Sequence, residues 1–163
     1  MASTFSNLGL ELQETGANAN TWGSRTNVGL QRIDNAIAGY TTVVCNSTTI
    51  TLTFSTNAAS TTFTDENGRN KILKFTAGTA AANITVTLPA VEKEYIVENS
   101  SGYDIIFSGS GSTTTTIETD RMAHIYTDGT DAYNALNKLQ IDTLDANNVV
   151  GGADPIVYAI ALG

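Results

Sequence analysis

From residue 40 to residue 126 the chain is a succession of short runs of β-branched and aromatic residues, each broken before it is long enough to be a helix. Strand-like runs fall at 40–45, 49–54, 72–75, 84–88, 95–98, 104–107, 114–118 and 123–126. Pro89, Ser101-Gly102, the run Gly109-Ser110-Gly111-Ser112 and Asp128-Gly129 punctuate them. Threonine, valine and isoleucine are branched at Cβ, which suits them to a pleated sheet and handicaps them in helices. Short strands with a turn about every 8–12 residues and no βαβ spacing predict a mainly β fold, an antiparallel β-sandwich or small barrel. Asp65-Glu66-Asn67-Gly68 is expected as a tight hairpin turn, because Asn and Gly tolerate positive φ.

The first forty residues follow a different pattern. Leu8, Leu10 and Leu12 alternate with small or polar residues, the two-residue period of a half-buried strand. Farther on, Leu30, Ile33 and Ile37 fall at i, i+3 and i+7, so one short amphipathic helix is expected to carry them on one face while Gln31, Arg32, Asp34 and Asn35 point elsewhere. Thr26 is placed to cap its start, and Gly39 to end it in the left-handed conformation. Trp22, the sole tryptophan, falls in a glycine-rich loop before this helix. Two roles suit it: covering the domain's own core, or anchoring a contact with another protein.

Three parts are therefore expected: an amino-terminal segment 1–40, a β module 41–139, and an extension 140–163 that ends in an apolar strand at 156–162. A chain of 163 residues accommodates one domain with an appendage. Its single cysteine, Cys45, excludes an intramolecular disulfide and sits in an apolar run, which suits a small buried side chain better than a reactive thiol.

Charge narrows the partners. With 16 acidic and 8 basic residues the net charge is −8, and the basic residues form no run. Such a surface repels phosphate backbones and anionic headgroups, so neither nucleic acid nor membrane is an expected partner. No apolar stretch approaches the ~20 residues that span a bilayer, and the opening MASTFSNLGL lacks the basic start and apolar core of a secretion signal. Assembly in a cytoplasm is the expectation.

Chemistry is sparse. His124 is the only histidine, so the usual zinc sets of histidine and cysteine are not available within the chain. Serine hydrolysis requires a base beside the nucleophile, and no Gly-x-Ser-x-Gly elbow selects a serine for His124. Asp128 with Asp131, and Asp142 with Asp145, are acid pairs, yet neither completes a calcium loop. The Gly109–Ser112 run has no following helix or nearby lysine, which leaves it a flexible hairpin loop rather than a phosphate cradle. We expect no enzyme activity, no cofactor and no metal.

The segment LELQETGANANTWGSRTNVGLQRIDNAIAGY, residues 10–40, resembles the amino-terminal segment of bacteriophage tail-fibre and related virion proteins, especially those of phages of marine bacteria and cyanobacteria. A second stretch is similar to a unit in fibre proteins of the same phages. It comprises LKFTAG, NITVTLPAVEKEYIVENSSGYDIIFSGSG and MAHIYTDGTDAYNAL, with a TVTLP strand, a Lys-x-Tyr-x-Val-x-Asn strand and a Tyr-x-Asp-Gly-Thr turn. Together the two span about three-fifths of the chain; residues 140–163 match neither.

The resemblance implies a virion structural protein that forms homotrimers and contacts other phage virion proteins. It also favours Trp22 as a contact residue. The expected interface is Leu8, Leu10, Leu12, Trp22, Leu30, Ile33 and Ile37, docking a short tail fibre or fibre adaptor on the tail while the β module projects. A capsid decoration or head-fibre role is the alternative. A module for host surface glycans is another, with Tyr95, Tyr103, Tyr126 and Tyr133 as stacking faces.

Overall fold

The computed structural model describes residues 4–56 and 59–136. It is mainly β with one long helix. Strands β1 (Thr4–Phe5) and β2 (Glu11–Leu12) pair antiparallel, and helix α1 spans Trp22–Ala38. There follow β3 (Tyr40–Cys45), β4 (Thr49–Thr51), a 3-10 turn (Asn67–Arg69), β5 (Ile72–Ala77), β6 (Ile84–Thr87), β7 (Glu92–Ser100), β8 (Ile105–Ser108), β9 (Thr115–Ile117), β10 (Arg121–Asp128) and β11 (Ala132–Asn134). The expected strand at 156–162 lies outside the described residues, as does the whole of the expected extension 140–163.

The expected antiparallel pairing is corrected by the topology. One sheet runs β11-β10-β7-β5-β3 and the other β4-β6-β8-β9. The chain passes from the first sheet to the second three times, β3 to β4, β5 to β6 and β7 to β8, so that successive passes lie parallel: Tyr40 beside Ile72, Ile72 beside Ile96, Thr49 beside Thr85, and Thr85 beside Ile106. Only then does the chain reverse, with β9 antiparallel to β8, β10 to β7 and β11 to β10. Most of the turn signals mark crossings between sheets instead of hairpins. The Asp65–Gly68 run is one of these: it enters the 3-10 turn between β4 and β5, and the Asn67 carboxamide oxygen accepts from Thr53 N–H at 2.7 Å.

Buried side chains from both sheets form one core. Leu73, Phe75, Tyr95, Val97 and Ile125 come from one sheet, Ile84, Val86, Ile105 and Phe107 from the other, and the Phe75 and Phe107 rings meet edge to face at 5.6 Å. Each such side chain contributes about 1.5–3 kcal/mol by leaving water. The Lys-x-Tyr-x-Val-x-Asn residues are the inward face of β7. Tyr95 donates its hydroxyl to the Gly68 carbonyl at 2.8 Å. Asn99, fully buried, donates to the carbonyls of Ile117 and Tyr103 and accepts from Ser101 N–H. A buried amide that satisfies this many partners fixes the β7–β8 crossing against β9.

Two buried arginines fasten the amino-terminal turn to this body. Arg69 donates to Leu8 O at 2.6 Å and Ser55 O at 2.7 Å, pairs with Glu66 at 2.6 Å, and lies over the Phe54 ring. Arg32 donates to Gly9 O at 2.8 Å. Gly9 itself has φ +67°, and a Cβ there would sit 2.3 Å from Ser55 O, so only glycine fits the turn. Residues 4–38 are thus tied to the sheets at defined points.

Candidate functional site

Helix α1 is longer than expected. It begins at Trp22, preceded by Thr21, not at Thr26; Thr26 Oγ1 instead accepts from Gln13 Nε2 at 3.1 Å. Gly39 closes the helix in an extended conformation, φ −65°, not a left-handed one. Glycine is needed there for space: a Cβ would meet Asn70 Oδ1 at 2.3 Å and Asn35 O at 2.5 Å. The side facing the body is made by Val28 and Arg32, both buried. Arg32 points away from the Leu30, Ile33 and Ile37 face, as expected, and it turns into the body, where its guanidinium donates to the Gly9 carbonyl.

The apolar stripe consequently faces solvent. Trp22 is 63% exposed, Leu30 58%, Ile33 38% and Ile37 70%, and Leu12 on β2 is 54% exposed. Leu10, Leu12, Trp22, Leu30 and Ile33 line one groove of about 370 Å³ between β2 and α1, with Gly29 on its helix side. Ile37 continues the helix face beyond the groove. Leu8 is not brought to it; that residue is half-buried and its carbonyl is held by Arg69. Of the seven sequence-derived interface residues, five share the groove.

Polar contacts hold its two walls together. Arg25 of α1 pairs with Glu11 of β2 at 2.7 Å, and Asn18 Nδ2 donates to the same carboxylate at 3.1 Å. Gln13 Oε1 and Arg25 Nε, both at the groove, are buried without a hydrogen-bond partner. Unmet polar atoms of this kind are uncommon in a finished interior.

Sequence reasoning missed Tyr40 and Val44, which are 54% and 51% exposed and extend the apolar surface onto β3. The signal was present: Val43 and Cys45 point inward, so period-two alternation turns Tyr40 and Val44 out. Cys45 is buried as expected, and burial pushes its thiol pKa up. Met122 of β10 is also largely exposed.

The chemical candidates are engaged in local structure. Asp128 accepts from Thr130 N–H, Thr130 Oγ1 and Asp131 N–H, each within 2.9 Å, and these bonds pull its carboxyl down to about 2. Asp131 receives Thr113 N–H at 2.7 Å. The Gly109–Ser112 loop closes the β8–β9 hairpin, and it is packed: a Cβ on Gly109 would lie 2.0 Å from Thr130 O. His124 Nε2 lies 2.9 Å from Glu94, which also binds Lys71. Among the described residues no group of three or more His, Cys, Asp or Glu side chains is placed to hold a metal ion. Tyr95 is buried, while Tyr126 and Tyr133 stack on each other at 4.9 Å instead of forming a shared flat platform. No helix among the described residues is long and apolar enough to cross a membrane.

Comparison of the chain with protein-family models, with curated proteins and with solved structures finds no match in any of the three.

Proposed function

We propose that this chain is a non-enzymatic structural subunit of a bacteriophage particle, a short tail fibre or fibre adaptor that docks through residues 1–40 and presents the two-sheet module, read as a sandwich, as a rigid spacer. The observation that carries the docking part is the outward stripe of α1. A helix ordinarily turns its apolar face to its own core, and leaving Trp22, Leu30, Ile33 and Ile37 in water forfeits about 1.5–3 kcal/mol per large side chain that a partner would recover. Trp22 beside a groove of aliphatic side chains matches the composition of interface hot spots. The arginine clamps support the same reading, since a surface held rigid before binding loses less entropy on association. The phage assignment rests on the sequence resemblance.

The variant combining Trp22→Ala with Ile33→Asp tests it. Both side chains are exposed, so the purified protein should melt within a few degrees of the parent, yet it should be absent from particles assembled in infected cells. Normal incorporation would defeat the docking role. Label found on heads instead of tails would replace the tail assignment with a capsid one.

A further inference from the structure

The two sheets are laced together on one side only. There Ala132 N–H donates to the Thr113 carbonyl at 3.1 Å and Gly111 N–H to the Thr130 carbonyl at 2.8 Å, so the β11 end of one sheet is bonded to the chain entering β9 of the other. On the far side the sheets end separately in β3 and β4, and no described strand pairs with the outer edge of either. Ile50 of β4, packed against the core, is only partly buried at this opening. Edge strands of soluble proteins are ordinarily blunted with charge, proline or a bulge. These have none of them: from residue 35 to residue 64 the chain contains no Asp, Glu, Lys, Arg or Pro.

Strand β3 is the longer of the two edges. Gly39 O accepts from Ile72 N–H and Cys45 O from Ala80 N–H, so odd-numbered residues turn their peptide groups toward β5 and even-numbered ones turn theirs outward. Tyr40 and Thr42 therefore present both N–H and C=O at the edge. Val44 presents its N–H alone, because its carbonyl accepts from Asn46 N–H at 3.0 Å, and a ladder on this edge ends there.

The sequence holds a segment of matching length and character. Residues 156–162, IVYAIAL, are uncharged and follow the breakers Gly151-Gly152 and Pro155, whereas residues 137–155 contain Lys138, Asp142, Asp145 and Asp154. Period two divides the segment into a large face, Ile156, Tyr158, Ile160 and Leu162, and a small one, Val157, Ala159 and Ala161. With Ala159 beside Thr42, the small face lies outward next to Tyr40 and Val44 whichever way the strand runs, and the large face turns inward over the opening at Ile50. Reach is ample. The 19 residues between Leu136 and Ile156 extend to about 60 Å, against about 20 Å across five strands. A tether of this kind holds the segment at an effective concentration on the order of a millimolar, which favours the same chain over a neighbour.

We propose that residues 156–162 add to the outer edge of β3 in the same chain, as a sixth strand that closes the open side between the sheets. This closure does not depend on the phage reading, and it leaves the groove of Trp22, Leu30 and Ile33 free.

The test uses the full chain. In a Cys45→Ser background, Thr42→Cys with Ala159→Cys should form a disulfide within one chain on mild oxidation, because facing Cα atoms on neighbouring strands lie about 4.5–5.5 Å apart. Thr116→Cys, exposed on β9, with Ala159→Cys should not. By hydrogen exchange the outward Thr42 and Val44 amides should be protected in the parent and exchange at least tenfold faster in Ile160→Asp, while the amides of β7 and β10 keep their protection, showing that the fold survives. Trp22→Ala should leave the Thr42 and Val44 amides protected, which separates this closure from the docking groove. Unprotected Thr42 and Val44 amides in the parent, protection indifferent to Ile160→Asp, a disulfide that joins two chains, or equal cross-linking to positions 42 and 116 would overturn it.

Discussion

The Arg69 guanidinium donates to the Leu8 carbonyl at 2.6 Å, joining positions 61 apart in the chain. The same group neutralises Glu66, so one side chain both compensates a buried carboxylate and fixes the turn that supports the groove. Burial alone would raise the Glu66 pKa, but hydrogen bonds from Ser55 and Arg69 outweigh it and the net shift is downward. Arg69→Met preserves much of the volume and removes every donor. It should cost about 3–5 kcal/mol, the loss typical when one member of a buried pair is deleted, by urea denaturation. Limited proteolysis should then cut first within residues 4–20.

Two glycines at the helix should respond in opposite directions to alanine. Gly39→Ala forces a methyl against Asn70 Oδ1 and Asn35 O, and should destabilise by about 1–3 kcal/mol, the usual cost of overpacking. Gly29 has no neighbouring atom within 4 Å of a Cβ, so Gly29→Ala should stabilise by about 0.5–1 kcal/mol through helix propensity alone. Thermal melts of the two variants check the pair.

The Lys93 amine lies 4.8 Å from the centre of the Tyr95 ring, and burial, reinforced by the charge of Lys71, brings its pKa down to about 8 from 10.5. The folded state therefore releases this proton before the unfolded state does. Between about pH 8 and 10 the unfolded chain holds more protons, and stability should rise with pH. Below pH 8 both states are protonated and the penalty is constant. Above about pH 10 the trend reverses: burial raises the Tyr95 hydroxyl, and the unfolded chain ionises it first. Lys93→Met should raise the melting temperature at pH 7 and abolish the climb between pH 8 and 10.

Strand positions were legible because alternation is written into each run: Tyr40–Cys45 has the expected bounds, and β5, β7 and β10 merely extend past theirs. Partner choice was not. An inward-facing Val97 reads the same whether its neighbour runs with it or against it, and Pro89 or Ser101-Gly102 breaks a strand without saying whether the chain reverses or crosses to the other sheet. Two-residue β1 and three-residue β11 were missed because such short segments have no pattern of their own and exist by pairing. The groove was half visible. Period 3.6 located Leu30, Ile33 and Ile37, but sidedness depended on Arg32 meeting a carbonyl 23 positions away, and no local pattern carries that.

The three same-sense passes also set a kinetic order. No long strand before β8 finds its mate next to it in sequence; β3 waits for β5, and β5 for β7. Loop closure must then precede any reward from pairing, which places such a chain among slow folders. During synthesis the uncharged β3 emerges early and remains unprotected until β5 has left the ribosome, the interval in which nascent chains stick to one another. Rapid recombinant expression should accordingly favour inclusion bodies over soluble product, and slower growth should reverse that balance.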